Sequence, residues 1–172
     1  AIRFTLPETR VFEDRVARIA DLDGDGAPEV IVVETDVALG ASLAVYDATG
    51  KRAATEFIGQ TRRWLAPAGV GDFDGDGQVE MAYVDRPHLA QELVFVRYKA
   101  GVMAEVARVG GLTNHRFGDA AISGGVRRCG GKDSVILADA DWARVVEVVL
   151  DKGVPVLRDL GPVAGMAAAL GC

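Results

Sequence analysis

Two cysteines, Cys129 and Cys172, and two histidines, His88 and His115, are all that 172 residues contain of either type. The cysteines lack the CxxC spacing of redox and zinc motifs, and neither has a histidine close by. No apolar run reaches about 18 residues, so no membrane-spanning helix is expected. Lysines and arginines form no run or stripe, which removes the electrostatic footprint of a nucleic-acid binder. Gly-x-Ser-x-Gly, HExxH and a phosphate-cradling glycine loop are all missing. The chain opens Ala1-Ile-Arg-Phe-Thr5, strand-like rather than leader-like, so any secretory signal is expected to have been removed or to lie outside it.

What the chain does contain is a repeated acidic loop. Asp21-Leu-Asp-Gly-Asp-Gly-Ala-Pro-Glu29 recurs 51 residues later as Asp72-Phe-Asp-Gly-Asp-Gly-Gln-Val-Glu80. Each copy places acids at positions 1, 3, 5 and 9 and glycines at 4 and 6, between apolar runs. Four carboxylates within nine residues repel one another, and a hard cation with six to eight flexible oxygen ligands resolves that conflict. This describes calcium better than magnesium, which demands a tighter octahedron and keeps its waters. The expected ligands are Asp21, Asp23, Asp25, the carbonyl of Ala27 and Glu29, then Asp72, Asp74, Asp76, the carbonyl of Gln78 and Glu80. The glycines allow the backbone to fold back on the ion. An EF-hand is excluded because position 12 is Val32 or Tyr83 instead of glutamate, and strand-like sequence follows each loop. A pair of solvated Asp-Gly turns is the plainer alternative, but two copies with one acid spacing speak against it.

These loops account for the charge. Eight of the 25 acids lie in them, leaving 17 acids against 19 basic residues elsewhere. Two calcium ions would bring the formal charge from −6 to −2.

A period near 50 residues built of short strands is that of a β-propeller blade. Strands are expected near 16–20, 29–35, 42–47 and 52–58, then near 67–71, 80–85, 92–98 and 102–109. Apolar spacing over Val11–Ala20 also fits a short helix. Its counterpart Ala66-Pro-Ala-Gly-Val70 cannot be helical, so a strand is preferred. A degenerate third unit follows, with Ser134–Asp139 and Ala143–Leu150 as its second and third strands. Its loop, read as 120–132 after Asp119, has lost the acids and gained two arginines, so no metal is expected there.

The expected class is therefore all-β: about three four-stranded blades, as units near 11–60, 61–110 and 111–160, with a tail 161–172. Arg3–Leu6, ending at Pro7, reads as an orphan outer strand of an earlier blade. The chain is therefore expected to be a portion of a longer propeller whose missing blades lie in the same longer protein, with blades from another copy as the alternative.

The stretch Val70-Gly-Asp-Phe-Asp-Gly-Asp-Gly-Gln-Val-Glu-Met-Ala-Tyr-Val84 resembles the FG-GAP/VCBS repeat, the calcium-loop propeller repeat also found in integrin α heads. Ile19–Val33 resembles it equally well. The resemblance implies that each loop joins the first and second strands of a blade and binds calcium through positions 1, 3, 5, 7 and 9. Glutamate at position 9, where the family more often has aspartate, lengthens that arm. Such propellers serve as adhesion modules, enzyme appendages and scaffolds, so the fold alone does not name a function.

Calcium loops favour a periplasmic, secreted or cell-surface setting, where Cys129 and Cys172 would be joined. Two buried free thiols are the alternative. His88, His115, Trp64 and Trp142 fall between expected strands, where functional residues concentrate, although loop packing explains them as well. The expected function is a non-catalytic binding or scaffold module for a protein or carbohydrate ligand. The alternative is the propeller part of an enzyme, with His88 or His115 as acid and base.

Overall fold

A computed structural model gives the structure of residues 2–13 and 15–172. The chain forms two compact units, residues 1–65 with 98–104, and residues 66–97 with 105–172. The protein is all-β: among the described residues there are three antiparallel sheets of the kind that make propeller blades, none closed into a barrel. Among the described residues, no helix is long and apolar enough to cross a membrane.

In the first sheet, β1 (Arg10–Phe12) and β2 (Arg18–Ala20) both pair with β3 (Glu29–Asp36), followed by β4 (Gly40–Asp47) and β5 (Gly50–Ala54). The second runs β6 (Leu65–Gly71), β7 (Glu80–Asp85), β8 (Glu92–Lys99) and β9 (Val102–Gly110). The third repeats the pattern of the first. Its first strand is again in two pieces, β10 (Leu112–Thr113) and β11 (Gly125–Arg127), both paired with β12 (Ser134–Asp139), before β13 (Arg144–Asp151) and β14 (Val154–Pro162).

Burial explains why the strands were legible to different degrees. The middle strands, such as Val30-Ile-Val-Val33 in β3 and Leu93-Val-Phe-Val96 in β8, are covered almost throughout and read as continuous apolar runs. The last strands β9 and β14 are largely exposed and carry charges among their apolar residues. In the second unit the core joins Phe73, Leu93, Phe95, Leu112, Val135, Leu137, Val148 and Leu150. Phe73 and Phe95 meet edge to face at 5.3 Å.

The split first strands are register effects. Phe12 and Arg18 are six positions apart, but their partners Glu34 and Ile31 are three apart. Thr113 and Gly125 are twelve apart, while their partners Ala138 and Ile136 differ by two. The second gap holds a ten-residue insertion, 114–124 less its one matched position. The strand expected at 16–20 is thus β2, and among the described residues of Val11–Ala20 there is no helix.

Two expectations are corrected. Arg3–Leu6 is not an orphan outer strand, since residues 2–6 form no strand. Phe4 lies 5.5 Å from the ring of Tyr46, and Leu6 packs on the cluster of Val32, Ala44 and Tyr46. Pro7 starts a turn, closed by the Arg10 N–H on its carbonyl at 2.9 Å, which leads into β1. The stretch is therefore packing for its own blade. The second correction concerns Asp119, which lies in the insertion between β10 and β11. The loop joining the first and second strands of the third sheet is the stretch after Arg127 and before Ser134, so Arg128 stands where Asp72 stands in the second.

The tail forms a turn of 3-10 helix at Val163–Gly165 and a short α1 (Met166–Ala169). A disulfide joins Cys172 to Cys129, with Cα atoms 5.4 Å apart. It ties the tail to the loop of the third sheet.

Candidate metal centres

The acidic loops connect β2 to β3 and β6 to β7, and they share one hydrogen-bonding plan. Oδ1 of Asp21 accepts from Gly24 N–H at 2.8 Å and its Oδ2 from Gly26 N–H at 2.9 Å. Asp72 does the same with Gly75 and Gly77, at 2.7 and 2.9 Å. Asp23 and Asp74 accept from the N–H two residues on, at 3.3 and 3.1 Å. The glycines make this wrap feasible. Gly24 and Gly26 have φ of 78° and 87°, and Gly75 and Gly77 have 77° and 84°, a region that side chains disfavour.

Position 9 closes each loop from below. Glu29 and Glu80 are the first residues of β3 and β7, 4 % and 0 % exposed. Oε2 of each accepts the N–H of position 2, from Leu22 at 2.8 Å and from Phe73 at 3.0 Å. As a result, Asp21, Asp23 and Glu29 each bring a carboxylate oxygen within 4.8 Å of the others, and so do Asp72, Asp74 and Glu80. Asp25 and Asp76 stand outside these trios. Each accepts the N–H of position 7, from Ala27 at 2.7 Å and from Gln78 at 2.8 Å.

The donor chemistry fits a hard divalent cation: three convergent carboxylates, one of them buried, on a loop held open by its own backbone. In the first loop the carboxylates accept backbone N–H groups. The second loop differs. Arg97 lies opposite Glu80 in the β7–β8 ladder. Its Nε donates to Glu80 at 2.8 Å, Nη1 to Asp76 at 3.0 Å and Nη2 to Asp74 at 3.1 Å, and Nη2 also pairs with Glu80. A guanidinium therefore already offsets part of the carboxylate charge there. In the first sheet the matching position, one beyond the Val30–Tyr46 pair, is Asp47. Asp47 accepts from Thr49 and Gly50 and pairs with Arg52 at 3.4 Å.

Burial pushes the carboxyl of Glu80 up, outweighing the pull of Arg97 and the Phe73 N–H. The Gln78 N–H first, and then Arg97, holds Asp76 below the usual carboxylate range. Burial works against the charge of Arg97, yet its three acidic partners keep it above its ordinary value.

Residues 21–83 match the model of the FG-GAP-like repeat. Over that span the sequence is similar to an FG-GAP-like repeat. The matched span opens on the first aspartate of the first loop, contains the whole of the second, and closes inside β7. No curated protein and no solved structure matches the chain.

Sequence reasoning missed Arg97 as a member of the repeat's second loop. The signal was present, because Ser42–Asp47 and Glu92–Arg97 align and differ in charge at their last residue. It also left His88 and His115 as separate loop residues. The structure brings them together, with Nε2 of His88 3.0 Å from Nδ1 of His115. Arg116 stacks on Trp142 at 4.4 Å. Trp64 lies in the segment before β6, among half-buried residues.

Proposed function

We propose that this chain is a calcium-stabilised, extracytoplasmic propeller module with a binding or scaffold role and no chemistry of its own. The observation that carries the reading is the convergence of Asp21, Asp23 and Glu29 on one point, with Glu29 buried. Three carboxylates at that separation destabilise the folded state until a cation joins them. Calcium tolerates the irregular oxygen shell such a loop offers. Asp25 and the carbonyl of Ala27 complete the proposed set, as Asp76 and the carbonyl of Gln78 do around Asp72, Asp74 and Glu80.

The two sites are proposed to be unequal. The first loop binds more tightly, and the second exchanges the Arg97 contacts for an ion at a cost in affinity. The role of the metal is structural: it fixes the turn between the first two strands of a blade. The Cys129–Cys172 disulfide supports an oxidising compartment. An FG-GAP-like repeat suggests a propeller used to bind another molecule, and a protein or carbohydrate ligand is proposed.

Thermal unfolding in excess calcium and in excess chelator tests this reading. Calcium at about 100 times its dissociation constant adds roughly 2.7 kcal/mol per site, so the midpoint should rise by several degrees. An identical midpoint in both conditions, with no calcium by elemental analysis, contradicts it.

A further inference from the structure

His88 and His115 are 27 residues apart in the chain, and both are held by well-anchored backbone. His88 lies in the turn after β7, where the N–H groups of Leu89 and Ala90 close on the carbonyl of Arg86 at 2.7 and 3.0 Å. His115 opens the insertion between β10 and β11. Its neighbour Asn114 is fully buried and donates to the carbonyl of Ala66 at 3.1 Å. Thr113 fastens the two segments to each other, its hydroxyl donating to the carbonyl of Pro87 at 2.8 Å.

The second nitrogen of His115 settles its tautomer. Nε2 lies 3.1 Å from the carbonyl oxygen of Asp119. A carbonyl only accepts, so in the neutral ring the proton sits on Nε2 and Nδ1 presents a lone pair. That lone pair faces Nε2 of His88 at 3.0 Å. His88 can meet it as an N–H donor or, in its other tautomer, as a second lone pair with a cation between. Metal-bound histidines almost always donate their remaining N–H to a carbonyl, carboxylate or water, and His115 already makes that bond. Two imidazoles on a tetrahedral ion at bond lengths near 2.05 Å stand roughly 3.3 Å apart, so a small tilt of either ring admits the ion.

Phe117, 92 % exposed, sets its ring edge-on to His88 at 5.8 Å and gives the pair an apolar wall. We infer that His88 and His115 form a chelating pair for a borderline divalent ion of the zinc type. Water or a group from a bound partner fills the remaining positions. Neutral imidazoles select against calcium, so this site and the carboxylate loops take different metals. The inference does not rest on the calcium reading.

Calorimetric titration with Zn2+ in excess calcium tests it, with wild type, His88→Ala, His115→Ala and the double variant compared at neutral pH. One Zn2+ per chain is expected for the wild type. Each single variant should weaken it at least about tenfold, the lower end of what even an outer-shell change produces. On the wild type alone, imidazole nitrogen NMR should show Nε2 of His88 and Nδ1 of His115 shifting together. Absence of Zn2+ binding, binding that survives in the double variant, or a shift confined to one ring would each overturn the inference. Melting points of all four proteins in chelator should coincide, which separates loss of a ligand from loss of the fold.

Discussion

Arg97 faces Glu80 across the β7–β8 ladder and clasps that buried carboxylate. The same guanidinium reaches Asp74 and Asp76, so the second acidic loop contains its own counter-ion. The first loop, with the same acid spacing and backbone hydrogen bonds, has Asp47 at the matching place, and the nearby cation there is Arg52, paired with Asp47 at 3.4 Å. The residue opposite the buried position-9 glutamate therefore differs between the two loops, arginine in one and aspartate in the other.

Replacing Arg97 leaves Glu80 buried without its partner, and breaking a buried pair typically costs about 3 kcal/mol or more. Arg97→Gln should therefore destabilise the protein by about that amount in chelator. In saturating calcium the loss should shrink, because an ion then takes the place of the guanidinium. Urea unfolding of both proteins in both conditions measures the difference. An equal loss with and without calcium would show that Arg97 and the metal do not share those carboxylates.

The parts of this structure that were legible in sequence are those governed by local chemistry. The acid spacing and glycines of the loops dictate their turns, and the apolar runs in β3, β7, β8 and β12 follow from burial on both faces. The insertion in the third blade was not legible, because residues 114–124 interrupt a strand whose pieces are only two and three residues long. Arg3–Leu6 has strand-like composition yet packs on Tyr46 instead, since composition does not say which surface an apolar segment covers. Pairings across blades, such as His88 with His115, depend on tertiary register that no local pattern encodes.

Glu34 gives the first blade an acid-sensitive element. It is 1 % exposed and accepts from Tyr46 at 2.7 Å, Lys51 at 2.8 Å and Arg10 at 3.0 Å. Burial alone would raise its carboxyl, but Lys51 and Tyr46, then Arg10, hold it below the usual value. A lowered folded pKa stabilises above the unfolded value, near 4.3–4.5, and that contribution is lost as pH falls through the folded value. Asp36, Asp47, Asp76 and Asp159 are lowered as well and act in the same sense. Glu80 is raised and acts in the opposite sense. Glu34→Gln should be less stable at pH 7 and should lose less stability than wild type between about pH 5 and 3. Urea midpoints across that range decide it, and parallel pH profiles would remove Glu34 from the account.

Asp21, Asp23 and Glu29 are proposed to hold calcium more tightly than Asp72, Asp74 and Glu80. Calorimetric titration of calcium-free protein with calcium, on wild type, Asp23→Asn and Asp74→Asn, tests it most directly. A tight event and a weaker one are expected in wild type, with the tight event lost in Asp23→Asn and kept in Asp74→Asn. A wild type that takes no calcium, or a tight event untouched by Asp23→Asn, would contradict it.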